Sequence, residues 1–168
     1  DFQIKDIHLY FNLHETKTVV RAKMNFTRAN TQATSLVLTG GEHVKLLSIA
    51  LNGEKWPTAK YQVEGETLTI NDVPSEFLLE TEVEINPEAN KSCEGLYLSG
   101  GIFCTQCEAE SFRKITYFLD RPDVMTSYTV EIEADEIDEA AGRIAERSPK
   151  ITTAAEGTKA AIGNIVRI

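Results

Sequence analysis

The stretch Ile-His-Leu-Tyr-Phe-Asn-Leu at residues 7–13 alternates apolar and polar side chains. A period of two places every second side chain on one face of an extended chain, so the pattern predicts a half-buried strand within residues 1–13. Residues 20–26, Val-Arg-Ala-Lys-Met-Asn-Phe, repeat the alternation, and the polar residues 14–17 between the two segments are suited to a turn. The two segments therefore predict a β-hairpin.

Further short apolar segments follow, and turn-forming residues separate them. Asn52-Gly53 lies between two apolar segments and predicts a tight hairpin turn, because both residues accept positive φ. The segments predicted as strands are 36–38, 44–51, 61–63, 68–70, 77–79, 83–85, 115–119 and 128–132. Many short strands without helical segments between them predict an all-β fold, either an antiparallel sandwich or a curved sheet.

The character of the sequence changes after about residue 133. Apolar residues recur at helical spacing between residues 136 and 147, which predicts one helix there. They are Ile137, Ala140, Ala141, Ile144 and Ala145. Ser148-Pro149 ends this pattern, and the residues that follow show too little periodicity to assign. We therefore divide the chain into a β-domain at residues 1–135 and a tail at residues 136–168.

Length and charge narrow the class of protein. The chain has 168 residues, enough for one domain with a core, and its formal net charge is −9. An acidic chain is poorly suited to binding nucleic acid or an anionic membrane surface, since both require a basic face. Three cysteines cannot all pair within one chain, so we expect reduced thiols and a cytoplasmic protein.

The densest group of polar residues is Cys-Thr-Gln-Cys-Glu-Ala-Glu at residues 104–110. Gln106 and Glu108 are two residues apart, as are Glu108 and Glu110, so in an extended segment each pair would share a face. An amide and a carboxylate on one face suit a cationic ammonium group. From the spacing alone, however, solvated surface carboxylates are the simpler interpretation.

The Cys104-x-x-Cys107 spacing in the same segment allows two other interpretations. A thioredoxin-type redox pair requires a βαβ context, which the sequence lacks. A structural zinc site requires four ligands, and this spacing supplies two. Cys93 and a histidine would have to complete the set, and no spacing indicates that they do. Two thiols packed within the fold are the simpler interpretation.

Two segments resemble a known family: residues 94–100, Glu-Gly-Leu-Tyr-Leu-Ser-Gly, and residues 104–124, Cys-Thr-Gln-Cys-Glu-Ala-Glu-Ser-Phe-Arg-Lys-Ile-Thr-Tyr-Phe-Leu-Asp-Arg-Pro-Asp-Val. They resemble the amino-terminal domain of the bacterial aminopeptidase N (alanyl aminopeptidase) family of zinc metallopeptidases, and weaker similarity extends over about residues 1–132. The resemblance implies a saddle-shaped all-β domain that packs against a separate catalytic domain. In that family the Gln and Glu of Thr-Gln-x-Glu help bind the substrate's free α-amino group and first side chain. By resemblance these residues are Gln106 and Glu108, and the amino terminus of a peptide is the expected partner.

The catalytic motifs of that family are missing from this chain. It contains no His-Glu-x-x-His and no Gly-x-Met-Glu-Asn segment. The resemblance therefore implies a non-catalytic domain that is inactive alone, without catalytic residues, metal ligands or a cofactor of its own, while zinc belongs to the parent enzyme.

The two ends of the chain leave an alternative open. The sequence begins at Asp1 without Met, so we expect a piece of a longer protein. Residues 136–168 do not match the family pattern. The alternative is a stand-alone β-sandwich module that binds a protein or peptide through an exposed edge or an apolar face.

Overall fold

A computed structural model describes residues 1–134, 151–154 and 159–163, and their regular structure is almost entirely β. The strands are β1 (Phe2–Leu13), β2 (Thr18–Arg28), β3 (Leu36–Thr39), β4 (Lys45–Leu51), β5 (Glu54–Lys55), β6 (Tyr61–Glu64), β7 (Thr67–Ile70), β8 (Glu76–Ile85), β9 (Gly95–Ser99), β10 (Ile102–Gln106), β11 (Ser127–Ala134), β12 (Ile151–Ala154) and β13 (Lys159–Gly163). Short 3-10 helices lie at Thr58–Lys60 and Phe112–Lys114. The predicted all-β class is confirmed. No helix in the described residues has the length and apolar character that crossing a bilayer requires.

The main sheet has the strand order β12-β13-β11-β1-β2-β8-β4-β5. β1 and β2 are antiparallel, as the hairpin prediction requires, and so are β2 with β8 and β8 with β4. The pair of β1 with β11 is parallel, from Asp6 opposite Ser127 to Leu13 opposite Ala134. Parallel neighbours need a long crossover connection between them. The candidate site lies in the last part of the connection from β1 to β11, shortly before β11 begins.

The two faces of the main sheet follow the alternation in the sequence. On β2, Val20, Ala22, Met24 and Phe26 are all buried. Burying a side chain of this kind stabilises the fold by about 1.5–3 kcal/mol for the larger residues. The opposite face carries ion pairs between β2 and β8, among them Arg21 with Glu82 at 2.6 Å. One face of the sheet therefore forms the core, and the other is hydrated.

Two smaller sheets complete the described fold. The three-stranded sheet has the order β3-β7-β6, and the two-stranded sheet pairs β9 with β10. Leu36, Leu38, Leu68 and Ile70 from the three-stranded sheet are fully buried and join the same hydrophobic core as the main sheet. The predicted Asn52-Gly53 turn is confirmed: it joins β4 to β5 with φ values of 52° and 83°.

The structure corrects two strand predictions. Residues 77–79 and 83–85, predicted as two strands, belong to the single strand β8, because Thr81 is buried and continues the alternation between them. Residues 115–119, predicted as a strand, form no ladder, and only Phe118 makes an isolated bridge, to Thr39. Residues 115–118 are all buried, so the apparent alternation does not divide this segment into an inner and an outer face.

The tail contributes strands to the main sheet. β13 pairs antiparallel with β11, with Ile132 opposite Ala160, and β12 pairs antiparallel with β13. The helix predicted at residues 136–147 lies outside the described residues.

Candidate functional site

The hairpin of β9 and β10 carries the Thr-Gln-x-Glu segment. The strands pair antiparallel, with Gln106 opposite Gly95, and Gly100 and Gly101 turn the chain with φ values of 59° and 78°. Gly95 also has positive φ, and a Cβ atom there would lie 2.6 Å from the Cβ of Lys114. A side chain at this position would therefore collide with Lys114, so the close packing of the hairpin against the 3-10 helix at Phe112–Lys114 depends on glycine.

β10 ends at Gln106, and Glu108 lies in the turn that follows. The backbone N–H of Ser111 donates to the carbonyl oxygen of Cys107 at 3.1 Å, which closes this turn over residues 107–111. Both the Gln106 and the Glu108 side chains are exposed. The Oε1 atom of Gln106 accepts a long hydrogen bond, 3.4 Å, from the backbone N–H of Glu108. This bond joins the Gln106 side chain to the backbone of the turn that carries Glu108.

The chain is no longer extended beyond Gln106, so period-two spacing does not place Glu108 and Glu110 on one face. Glu108 and Glu110 both lie in the turn. Glu110 instead accepts a hydrogen bond from the guanidinium of Arg113 at 2.7 Å. Glu108 is therefore the acidic residue of this turn that stays available to a ligand within the described structure.

A cavity of about 420 Å³ lies beside Glu108. Its walls are mostly apolar side chains from β1, from β11 and from the connection between β9 and β11, including Phe11, Phe103, Phe112 and Tyr128. Thr105, Glu108, Asp120 and Arg121 are the charged or hydroxyl-bearing groups that line it in addition to Tyr128. The arrangement thus places a carboxylate next to a space that suits an apolar group.

The other acidic residues around the cavity already have cation partners. Asp120 pairs with Arg113 at 2.9 Å, and Asp123 pairs with Arg121 at 2.9 Å, which holds the pKa of Asp123 below its usual value.

Glu94 pairs with Lys114, whose hydrogen bond lowers the pKa of the Glu94 carboxyl. Within residues 1–134, no cation forms an ion pair with Glu108. A ligand cation is therefore a suitable partner for its carboxylate.

No disulfide and no set of metal ligands involves the cysteines of the site within the described residues. Cys93, Cys104 and Cys107 are all free thiols. Burial, and secondarily the nearby Asp120 carboxylate, raises the pKa of Cys107 to about 11, so little of it is thiolate at neutral pH. No group of three or more His, Cys, Asp or Glu residues that could hold a metal ion occurs in the described part of the chain. Packing within the fold is therefore the simplest explanation of the Cys107 thiol.

The contact between Arg113 and Asp120 was not predicted from the sequence. The spacing of Arg113 and Asp120 along the chain is the same as that of many surface pairs. What distinguishes this pair is the burial of Asp120, which the sequence does not indicate. The structure shows that this pair holds together the ends of the loop that follows the turn of residues 107–111.

The fold and the site together define an all-β domain in which an exposed carboxylate lies beside an apolar cavity. A family model described as the Peptidase M1 N-terminal domain matches residues 3–157, and the chain belongs to this family. The resemblance stated from residues 94–100 and 104–124 is thus confirmed.

Similar proteins include two named Aminopeptidase N. The one from Caulobacter vibrioides is 52% identical over 134 residues, which cover 80% of this chain and 15% of that protein. The one from Escherichia coli is 49% identical over 137 residues, which cover 82% of this chain and 15% of that protein. The chain therefore spans a small part of the length of the curated relatives it matches.

Solved structures show the same fold. Aminopeptidase A from Legionella pneumophila, in complex with aspartic acid, superposes with a TM-score of 0.78 at 21% identity, over 98% of this chain and 20% of that one. Native yeast LTA4 hydrolase superposes with a TM-score of 0.73 at 16% identity, over 96% of this chain and 26% of that one. At these identities the similarity concerns the fold alone.

Proposed function

We propose that this chain is the non-catalytic amino-terminal domain of a zinc aminopeptidase, which removes amino-terminal residues from peptides. We further propose that Gln106 and Glu108 bind the α-amino group of the substrate. Two observations support the first proposal: the chain belongs to the Peptidase M1 N-terminal domain family, and it is similar to two proteins named Aminopeptidase N. The chain covers 15% of the length of each of these two proteins. The observation that carries the second is the exposed Glu108 carboxylate, which lies beside an apolar cavity and has no cation partner within residues 1–134.

Electrostatics favours this assignment. A free amino terminus is an ammonium cation with three N–H donors, and a carboxylate is its strongest hydrogen-bonding partner. The side-chain oxygen of Gln106, which accepts from the Glu108 backbone N–H, would provide a second acceptor for the amine. The apolar cavity alongside would receive the side chain of the first residue. A carboxylate at a fixed position would also select one residue from the free end of the peptide, because it anchors the amine at a constant distance from the scissile bond.

Hydrolysis itself would fall to a catalytic domain outside this chain. The described residues provide no donor set for zinc, so they do not suit that metal. The proposed partners of the domain are therefore the catalytic domain of the parent enzyme and the amino terminus of the peptide. The cytoplasm is the proposed location, because all three thiols are free.

The gene provides the first test. The proposal expects the reading frame to continue beyond Ile168 into a His-Glu-x-x-His segment. A stop codon directly after Ile168 would contradict it, and would favour the stand-alone binding module instead.

The test of the binding role is Glu108→Gln in the longer protein. Loss of a charge-assisted contact to the substrate amine should raise the KM for an aminoacyl arylamide by about tenfold to a hundredfold. The zinc content should not change. Glu54→Gln is the matched control, since Glu54 is an exposed acid on β5, at the edge of the main sheet opposite the tail strands. Equal KM values for Glu108→Gln and the unaltered protein would rule out the binding role.

A further inference from the structure

We propose that Arg113 is a positioning residue, which fixes the turn of residues 107–111 so that the Glu108 carboxylate is held in place to meet the substrate amine. The inference rests on the proposed function of Glu108. It assigns no contact with the substrate to Arg113, which would act through the turn.

One side of the arrangement is the bond between Arg113 and the buried Asp120, whose side chain is 8% exposed. The Oδ2 atom of Asp120 accepts hydrogen bonds from the backbone N–H of Arg113 at 3.0 Å and from its Nε–H at 2.9 Å. The Nη2 atom of Arg113 donates to the backbone oxygen of Asp120 at 2.8 Å. The N–H donors of a guanidinium lie in one plane and point in fixed directions. Several hydrogen bonds made by one guanidinium therefore fix its orientation.

The other side is the turn itself. The same Nη2 atom donates to the Glu110 carboxylate at 2.7 Å. The Ser111 N–H donates to the Cys107 carbonyl at 3.1 Å, so Glu108 lies in a closed turn. Arg113 thus links this turn to a buried carboxylate of the core. Movement of the turn relative to the core would break charge-assisted bonds at one of the two ends.

Arg113 is also the cation that neutralises the Glu110 carboxylate in the turn. In the described residues around the turn, Lys114 is engaged with Glu94 and Arg121 with Asp123. Without Arg113, the Glu110 carboxylate would remain unneutralised two residues from Glu108. Like charges so close repel, and the turn would relax toward a wider separation of the two acids. Arg113 therefore determines both where Glu108 lies and which acid remains available for the substrate.

The test is a double-mutant cycle on KM in the longer protein. Arg113→Gln should raise KM by about threefold to tenfold when Glu108 is present, and by less than about twofold in a Glu108→Gln background, because the two residues act through one contact. Arg113→Lys keeps the positive charge but loses the planar fork of donors, so it should also raise KM, by less than Arg113→Gln does. Arg21→Gln, which breaks an Arg–Glu pair of the same kind on the hydrated face of the main sheet, is the control and should leave KM unchanged.

Two further measurements keep the test decisive if Arg113→Gln folds poorly. Glu110→Gln breaks only the exposed end of the link and should also raise KM. In the 168-residue chain, amide hydrogen exchange at Ser111 should be about tenfold faster in Glu110→Gln or Arg113→Gln than in Arg21→Gln.

The outcomes separate this inference from the function on which it rests. An unchanged KM in Glu108→Gln would overturn the proposed function. A raised KM in Glu108→Gln, combined with effects of Arg113 that are absent or that multiply with those of Glu108→Gln, would overturn only the positioning role. Unaltered exchange at Ser111 would also overturn it.

Discussion

Cys107 should react with iodoacetamide at pH 8 much more slowly than an ordinary exposed thiol. Burial raises its pKa to about 11, so about 0.1% is thiolate at pH 8, whereas a thiol with the usual pKa of about 8.5 is about one quarter thiolate. The thiolate fractions differ by about 200-fold. A thiolate of higher pKa is more nucleophilic, so each Cys107 thiolate should react about tenfold faster than an ordinary one. The net rate of alkylation should then be about 20-fold slower.

The assay for this prediction has a control within the same molecule. Trypsin leaves Cys93, Cys104 and Cys107 on one peptide, residues 92–113, and tandem mass spectrometry distinguishes the three sites. Cys93 is exposed and serves as the reference. Labelling of Cys107 as fast as that of Cys93 would refute the burial argument. Rapid formation of a Cys104–Cys107 disulfide would do the same, and would restore the redox interpretation of the Cys-x-x-Cys spacing.

Three further predictions concern stability, and equilibrium denaturation of the 168-residue chain measures each. Gly40→Ala should lower the free energy of unfolding by about 1–3 kcal/mol, because the new Cβ would lie 2.6 Å from a ring carbon of the buried Tyr117; an unchanged stability would contradict this packing. Asp120→Asn should cost about 1–3 kcal/mol by leaving the partly buried Arg113 without its carboxylate, and a neutral effect would show that the pair is not closed in solution. The folded-state pKa of Cys107, about 11, exceeds the unfolded value of about 8.5, so its contribution to stability is complete below about pH 8.5 and is lost as the pH rises toward 11. Cys107→Ala should therefore lose less stability than the unaltered chain over that range, and parallel pH profiles would contradict the shift.

The sequence predicted those features that depend on neighbouring residues along the chain. Alternation located β1 and β2 and identified which side chains face the core. The Asn52-Gly53 dipeptide located a hairpin turn, because its requirement for positive φ is local. Both outcomes follow from the backbone geometry of a few consecutive residues.

Features that depend on distant parts of the chain were not predicted. The parallel pairing of β1 with β11 joins the two ends of residues 1–134, and periodicity does not indicate which strands are neighbours. The same limit applies to the site. Spacing suggested that Gln106 and Glu108 share a face of an extended segment, but β10 ends at Gln106 and Glu108 lies in the turn that follows. The link from Arg113 to Asp120 depends on burial, which is a property of the whole fold.

The most direct test of amine recognition compares two substrates of the longer protein, one with an α-amino group and one with an α-hydroxyl group at the same position. The ratio of their kcat/KM values isolates the contribution of the ammonium charge. We predict that Glu108→Gln lowers this ratio by about tenfold or more, mainly through a higher KM for the amino substrate. An unchanged ratio would contradict the account, because the carboxylate of Glu108 would then not interact with the amine.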